Sequence, residues 1–290
     1  MRGFLLGATL LCAAFTHDAN ADPAAWRVSG RDGGEIWLLG SMHYLRAEDY
    51  PLPALIEELY ERADAIVMEL DLDDLGAAQQ QSSLVSAAVL PRGTTLRDVL
   101  DEDVYQLTER HARAVGIDLA LLQNFEPWLV AITLLSQGMT RLGYEADRGL
   151  EQYLVGKARR AGKEILGLES LETQIRVFDQ LPRSQQQALL EQTLQELETT
   201  GAGMMEQLAD AWRAGQLETL ADQLLGDFEG FPGLYEALVT DRNTRWLEPL
   251  EGFLDERRPY LVVVGALHLV GRGSVVELLQ MRGHTVTRIE

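Results

Sequence analysis

Lysine is nearly absent from this chain: Lys157 and Lys163 are the only two in 290 residues. Lys and Arg together number 25 against 45 Asp and Glu, which gives a formal charge of -20. Basic side chains supply most non-specific affinity for nucleic acid and for anionic lipid surfaces, so this deficit excludes both as main partners. Cysteine is scarcer still, with Cys12 alone. Beyond the first fifteen residues no long uncharged apolar run occurs, which argues against stable membrane insertion. The HExxH, GxSxG, Walker and GxGxxG patterns are missing as well, so the familiar zincin, serine-hydrolase and nucleotide-binding readings have no motif to rest on.

What is present begins with a leader. Arg2 precedes an apolar stretch from Phe4 to Phe15, and Ala19-Asn20-Ala21 offers a small-x-small cleavage site. Cleavage after Ala21 predicts a periplasmic or secreted product, residues 22–290, that has lost Cys12 and all thiol chemistry with it. A composition of 46% hydrophobic and 24% charged residues suits a globular core. No Pro- or Ser-rich linker divides it, so a single α/β domain is expected.

Hydrophobic patterning predicts two similar units at the ends of that domain. Glu35–Gly40 reads as a buried strand, Pro53–Ala63 as a helix and Ala65–Leu70 as a second strand, the neighbour of the first. Near the C-terminus, Tyr260–Gly265 reads as a strand. Ser274 caps a helix running to Met281 with Glu277 as capping-box partner, and His284–Ile289 reads as a closing strand. Between them, residues of about 75–255 read mostly as helices, with one strand at Glu164–Leu168 and one long helix over Leu234–Leu254. The expected fold is therefore a mixed sheet built from both ends of the chain, with a large helical insertion.

Both end units place Gly-x-x-His directly after a buried strand: Gly40-Ser41-Met42-His43 and Gly265-Ala266-Leu267-His268. Each histidine then sits at a strand's carboxyl end, the rim where open α/β sheets bind ligands. Gly40 and Gly265 would let the chain turn off the strand and a ligand approach the backbone without a Cβ in the way. Glu69 ends an apolar strand, where a carboxylate is costly without a partner or a metal. Glu169 ends another strand, and reads equally as the first acid of a helix. Arg242 and Asn243 read either as a surface charge behind an Asp241 cap, or as an anion-stabilising guanidinium and a ligand-orienting amide. His111 reads as a plain exposed residue of a charged helix, and His284 carries no motif. Ser41 lies two residues from His43 but has no evident orienting partner in sequence.

Taken together, LLGSMHYL, AIVMELD, GLEQYLVGKARRAGKEILGLESLETQ, DRNTRWL and YLVVVGALHLVG resemble, in order, the motifs of the TraB/PrgY/GumN family, which includes the Tiki proteases. The resemblance implies an erythromycin-esterase/ChaN-like scaffold and a metal-dependent hydrolase, a peptidase acting on a peptide or protein substrate. Carried over onto this chain, it makes His43, His268 and Glu69 ligands of a divalent cation (Mn, Co or Zn) and places Arg242, Asn243 and Glu169 among the catalytic groups. Glu69 or Glu169 would take the proton of a water. Glu151 and Gln174 fall in the middle motif without an assigned role. The competing expectation is a non-catalytic peptide- or haem-binding protein on the same scaffold. Oligomeric state is not set by the sequence.

Overall fold

The computed structural model describes residues 22–31, 33–71, 77–199, 202–226, 228 and 230–289. The segment expected as a leader, residues 1–21, lies outside the described residues.

Six strands form one sheet: β1 (Ala25–Ser29), β2 (Glu35–Ser41), β3 (Ala65–Leu70), β4 (Glu164–Glu169), β5 (Tyr260–Gly265) and β6 (Thr285–Arg288). Their order across the sheet is β4-β3-β5-β2-β1-β6. β4, β3, β5 and β2 run parallel, and β1 is antiparallel to both β2 and β6. The result is a mixed α/β protein. β5, Tyr-Leu-Val-Val-Val-Gly, is buried at every position, as an unbroken apolar run demands of a strand covered on both faces.

One expectation needs correction. Glu69 does not lie on the neighbour of β2, because β5 inserts between β2 and β3 and pairs with both. Consecutive elements suggested β2 beside β3. The more apolar β5 takes the centre instead, where its two faces are best shielded from water.

Helix Ala54–Arg62 connects β2 to β3, burying Leu55, Ile56, Leu59 and Tyr60 at helical spacing. Helix Leu150–Ala161 leads into β4 and ends at Gly162, whose φ of 67° sits in the left-handed region that favours glycine. The segment expected as one helix over Leu234–Leu254 is helical without a break from Pro232 to Asp255, with a π-helical stretch, Glu236–Thr240, between Pro232–Tyr235 and Asp241–Asp255. Helical backbone runs straight through Asp241, so it is not a cap. Ser274 does cap the helix Val275–Met281 by accepting from the Glu277 N–H, but the Glu277 carboxylate reaches one residue further back, to the N–H of Gly273.

Away from the sheet, helices Glu102–Val115, Pro127–Arg141 and Arg183–Thr199 share a second apolar core built on Val104, Val130, Leu134, Leu190 and Leu194. Among the described residues no helix is long and apolar enough to cross a membrane.

Candidate active site

The four parallel strands end at one rim, and each delivers a polar group there. β2 is followed two residues later by His43, β3 carries Glu69, and β4 ends on Glu169. β5 ends on Gly265 and passes into a single 3-10 turn, Ala266–Leu269, that holds His268. The helix Asp241–Asp255 brings Arg242 and Asn243 to the same rim from above β4.

His268 is 7% exposed and fixed on both sides. Its Nδ1 lies 2.6 Å from Asn243 Oδ1, and the Asn243 amide nitrogen in turn donates to the Gly273 carbonyl at 2.9 Å. That second bond sets the amide's orientation, so Oδ1 is the acceptor and His268 Nδ1 carries the hydrogen. The lone pair is then on Nε2, which faces Arg242 Nη1 at 3.2 Å and Glu69 Oε1 at 3.9 Å. Burial, only partly opposed by the charge of Glu69, lowers the His268 pKa to about 4, so the ring is neutral near pH 7. Trp246 packs against the imidazole with ring centres 4.5 Å apart.

Arg242 ties two acids together. Its Nη2 donates to Glu69 Oε2 at 2.6 Å and to Glu169, and its Nε donates to Glu169 at 2.9 Å. Trp246 Nε1 also donates to Glu169, at 3.3 Å. The guanidinium is 9% exposed, which removes the surface-charge reading of Arg242. The other oxygen of Glu69 accepts the Gly265 N–H at 2.8 Å. Burial alone would push the Glu69 carboxyl up, but His268, Arg242 and His43 with that N–H outweigh it and bring it down to about 2.

The second histidine is placed differently. His43 is 60% exposed, at the mouth of the site, with Nδ1 2.7 Å from Glu151 Oε1. Ser41 Oγ donates to the same carboxylate oxygen. Attraction to Glu151 is the main cause of a His43 pKa pushed up to about 9, although water at the open edge screens part of that attraction. Ser41 thus has an orienting partner after all, one that is remote in sequence. It is not a triad, because the hydroxyl donates to Glu151 and not to the imidazole.

The two tetrad glycines also differ. A Cβ built on Gly265 would lie 3.3 Å from His43 Nε2, 3.4 Å from Glu69 Oε1 and 3.7 Å from His268 Cδ2. A nitrogen of His43, an oxygen of Glu69 and the carbon edge of the His268 ring therefore border the space that this glycine leaves empty. A Cβ on Gly40 would instead meet Ala266 and Ala24 at 3.3–3.4 Å, a matter of packing between β2 and its neighbours. Among the described residues, no three His, Cys, Asp or Glu side chains already stand close enough together to hold a metal ion.

The space opens into a cleft of about 650 Å³ lined by His43, Glu69, Glu151, Gln174, Arg242 and His268 among others. Glu151, which sequence reasoning left without a role, belongs to the site: it starts the helix Leu150–Ala161 and approaches His43 and Ser41 from across the rim. The signal for it was only its place in a motif. Of the remaining histidines, His111 pairs with Glu198 at 3.0 Å and is 13% exposed, not the freely solvated residue expected. His284 pairs with Glu251 at 3.0 Å, away from the cleft.

Comparison with known proteins places this arrangement among relatives. The chain is 29% identical to YbaP of Escherichia coli (strain K12) over 84% of its own length and 87% of that protein. It is 27% identical to metalloprotease TIKI2 of Danio rerio and 25% identical to metalloprotease TIKI1 of Homo sapiens, over 86% of its length in each case. Those two are longer proteins, of which it spans 57% and 59%. No solved structure matches the chain. A model described as the TraB/PrgY/gumN family matches residues 24–288, nearly the whole of the described chain, and the protein belongs to that family.

Proposed function

We propose that the protein is an exported, metal-dependent hydrolase that cleaves peptide bonds at the strand-end rim. The observation that carries this reading is the approach of His43 Nε2, Glu69 Oε1 and the Cδ2 edge of the His268 ring to the one space beside Gly265. The donor set suits a divalent cation, since two imidazole nitrogens and a carboxylate are common ligands of Mn, Co and Zn. The charge is also right: Glu69, Glu151 and Glu169 against Arg242 leave two formal negative charges when both imidazoles are neutral. Export rests on the leader at residues 1–21, and the peptidase class rests on the TIKI metalloproteases that the chain resembles. The likeness to the erythromycin-esterase/ChaN scaffold is part of the same proposal.

His43, His268 and Glu69 would hold the cation, which when bound supplies Lewis-acid polarisation of a carbonyl and a water of lowered pKa. The chain's own groups set the rest. Asn243 holds His268 in the tautomer with its lone pair on Nε2, where it faces Arg242 Nη1 at 3.2 Å, and Glu151 holds His43 so that Nε2 faces the space beside Gly265. Arg242 has partners at all three of its nitrogens, so we assign it to positioning the two acids in place of the oxyanion role. Glu169 is committed to Arg242 and Trp246, and Glu69 to Arg242 and the Gly265 N–H. Glu151 is the most exposed of the three acids, at 16%, and is the better acceptor for the proton of water. Water oxygen adds to the peptide carbonyl, its proton passing to Glu151, the C–N bond breaks, and the amine departs with that proton returned by Glu151.

The test is thermal unfolding of residues 22–290, stripped with chelator and titrated with Mn, Co and Zn, beside His43→Ala and His268→Ala. A ligand that binds only the folded state raises Tm. A saturable rise in the wild type that both folded variants lack, with cleavage of a mixed peptide library only in its presence, is the expected result. No rise with any of the three metals overturns the reading.

A further inference from the structure

Four of the seven methionines in the chain line one cavity: Met42, Met139, Met204 and Met205. The cavity, about 320 Å³, is completed by Leu208, Leu220 and Leu224. It is separate from the acidic cleft but shares both histidines with it, so His43 and His268 stand between an apolar chamber on one side and the carboxylates on the other. Its walls come from four insertion helices, Pro127–Arg141, Arg183–Thr199, Ala202–Arg213 and Leu217–Gly226, and from the two rim segments Ser41 to Tyr44 and Gly265 to His268.

A second observation points to a ligand. Gln223 lines this cavity, and its side-chain oxygen is buried with no hydrogen-bond partner among the described residues. Buried acceptors are ordinarily satisfied, and one left open beside a chamber is a place for an incoming N–H.

Resting on the peptidase reading, we propose that this chamber is the subsite for a large apolar side chain next to the scissile bond, with Gln223 accepting an N–H from the bound peptide. Its size lies at the low end of small-molecule sites, ~300–1,000 Å³, which suits one side chain and not an extended ligand. Methionine is unbranched and polarisable and repacks around different shapes, so the subsite accepts Leu, Met and Phe alike. Acidic side chains are refused, because the wall is mostly apolar, Glu196 stands at the lining, and the one cationic group there, His43, is already paired with Glu151.

Two arms test this with the leaderless chain, residues 22–290. In the first, N-acetyl amides of Leu, Met, Phe and Asp are titrated into metal-free protein by saturation-transfer NMR, with Leu208→Trp and Leu224→Trp as variants that fill the chamber. Leu208 and Leu224 are only partly buried, so either can carry an indole without invading a closed core. The expected result is binding of the three apolar amides within about tenfold of one another, none of the Asp amide, and a tenfold or greater loss in both tryptophan variants. Equal binding of the Asp amide, or variants that bind as the wild type does, overturns the subsite. In the second arm, a peptide library is digested with added Mn, Co or Zn. Cleavage beside apolar residues, with KM raised in the variants, supports it. Cleavage indifferent to the neighbouring residue overturns the subsite and leaves the peptidase standing. Absence of cleavage alongside the expected amide binding rejects the peptidase and keeps the chamber as a binding site for apolar side chains.

Discussion

Asn243 Oδ1 stands 2.6 Å from His268 Nδ1, and this contact decides which nitrogen of the ring faces the cleft. The amide is anchored by its own bond to the Gly273 carbonyl, so the arrangement does not depend on a freely turning side chain. Partners of this kind cost ~10–100-fold in metal affinity when removed. Asn243→Ala is expected to weaken Mn, Co or Zn binding by that factor while His43→Ala abolishes it, measured by metal titration at constant pH. Asn243→Asp should behave better than Asn243→Ala, because a carboxylate can still accept from Nδ1.

Arg242 carries a stability prediction. It neutralises Glu69 and Glu169, which are 12% and 4% exposed. Removing one member of a nearly buried ion cluster leaves charge without compensation, a loss of ~3–5 kcal/mol. Arg242→Gln should therefore lower unfolding free energy by about that amount in urea melts with chelator present. Arg242→Lys should recover only part, because an ammonium cannot serve both carboxylates with the same fork. A loss below about 1 kcal/mol for Arg242→Gln would show that the acids relax to solvent.

The Gly265 and Gly40 contrast predicts two distinct phenotypes. Neither glycine has a positive φ, so alanine meets no backbone strain at either position. Gly265→Ala places its methyl in the space between His43, Glu69 and His268, and should abolish metal binding and activity with Tm little changed. Gly40→Ala presses on Ala24 and Ala266 and should lower Tm while leaving metal affinity near the wild-type value. Differential scanning calorimetry with and without metal separates the two.

A pH prediction rests on Asp49, which does not line the cleft. Its side chain is 1% exposed and is held by Arg213 Nη1 at 2.6 Å and by the Arg46 backbone N–H at 2.6 Å. Burial would raise its pKa, but those donors outweigh it and the folded value lies below the ordinary 3.8. A carboxylate with a depressed folded pKa binds its proton more readily unfolded. Its contribution is thus complete above about pH 4 and is lost as pH falls through the folded value. Asp49→Asn should be less stable than the wild type at pH 7, and the gap should narrow on acidification below pH 4, followed by thermal melts. A gap that widens on acidification would contradict the assignment.

Much of the fold was legible because β2, β3 and β5 are short apolar runs bounded by glycine or acid, a pattern with few other interpretations. β1 was not, since Ala-Trp-Arg-Val-Ser is brief and alternates weakly, and it becomes a strand only by pairing with both β2 and β6. The order of strands was misread for a related reason: sequence shows which segments are apolar, but not that the last of them fills the centre. In the site, His43 and His268 look equivalent as tetrads, yet one lies at the open mouth and the other under Trp246. Nothing within either tetrad distinguishes them. The difference comes from partners more than twenty residues away, Asn243 for one and Glu151 for the other.

The position of β5 has a consequence for how the molecule comes into being. The strand that joins β2 to β3 is made from residues 260–265, close to the end of the chain. Until they arrive, β1–β2 and β3–β4 are two separate ribbons with apolar edges and nothing between them. Growth from the N-terminus therefore cannot yield a finished domain at any earlier stage, and assembly waits on a pairing across more than two hundred residues. The second histidine arrives with that same segment, so the rim is completed in the step that closes the sheet.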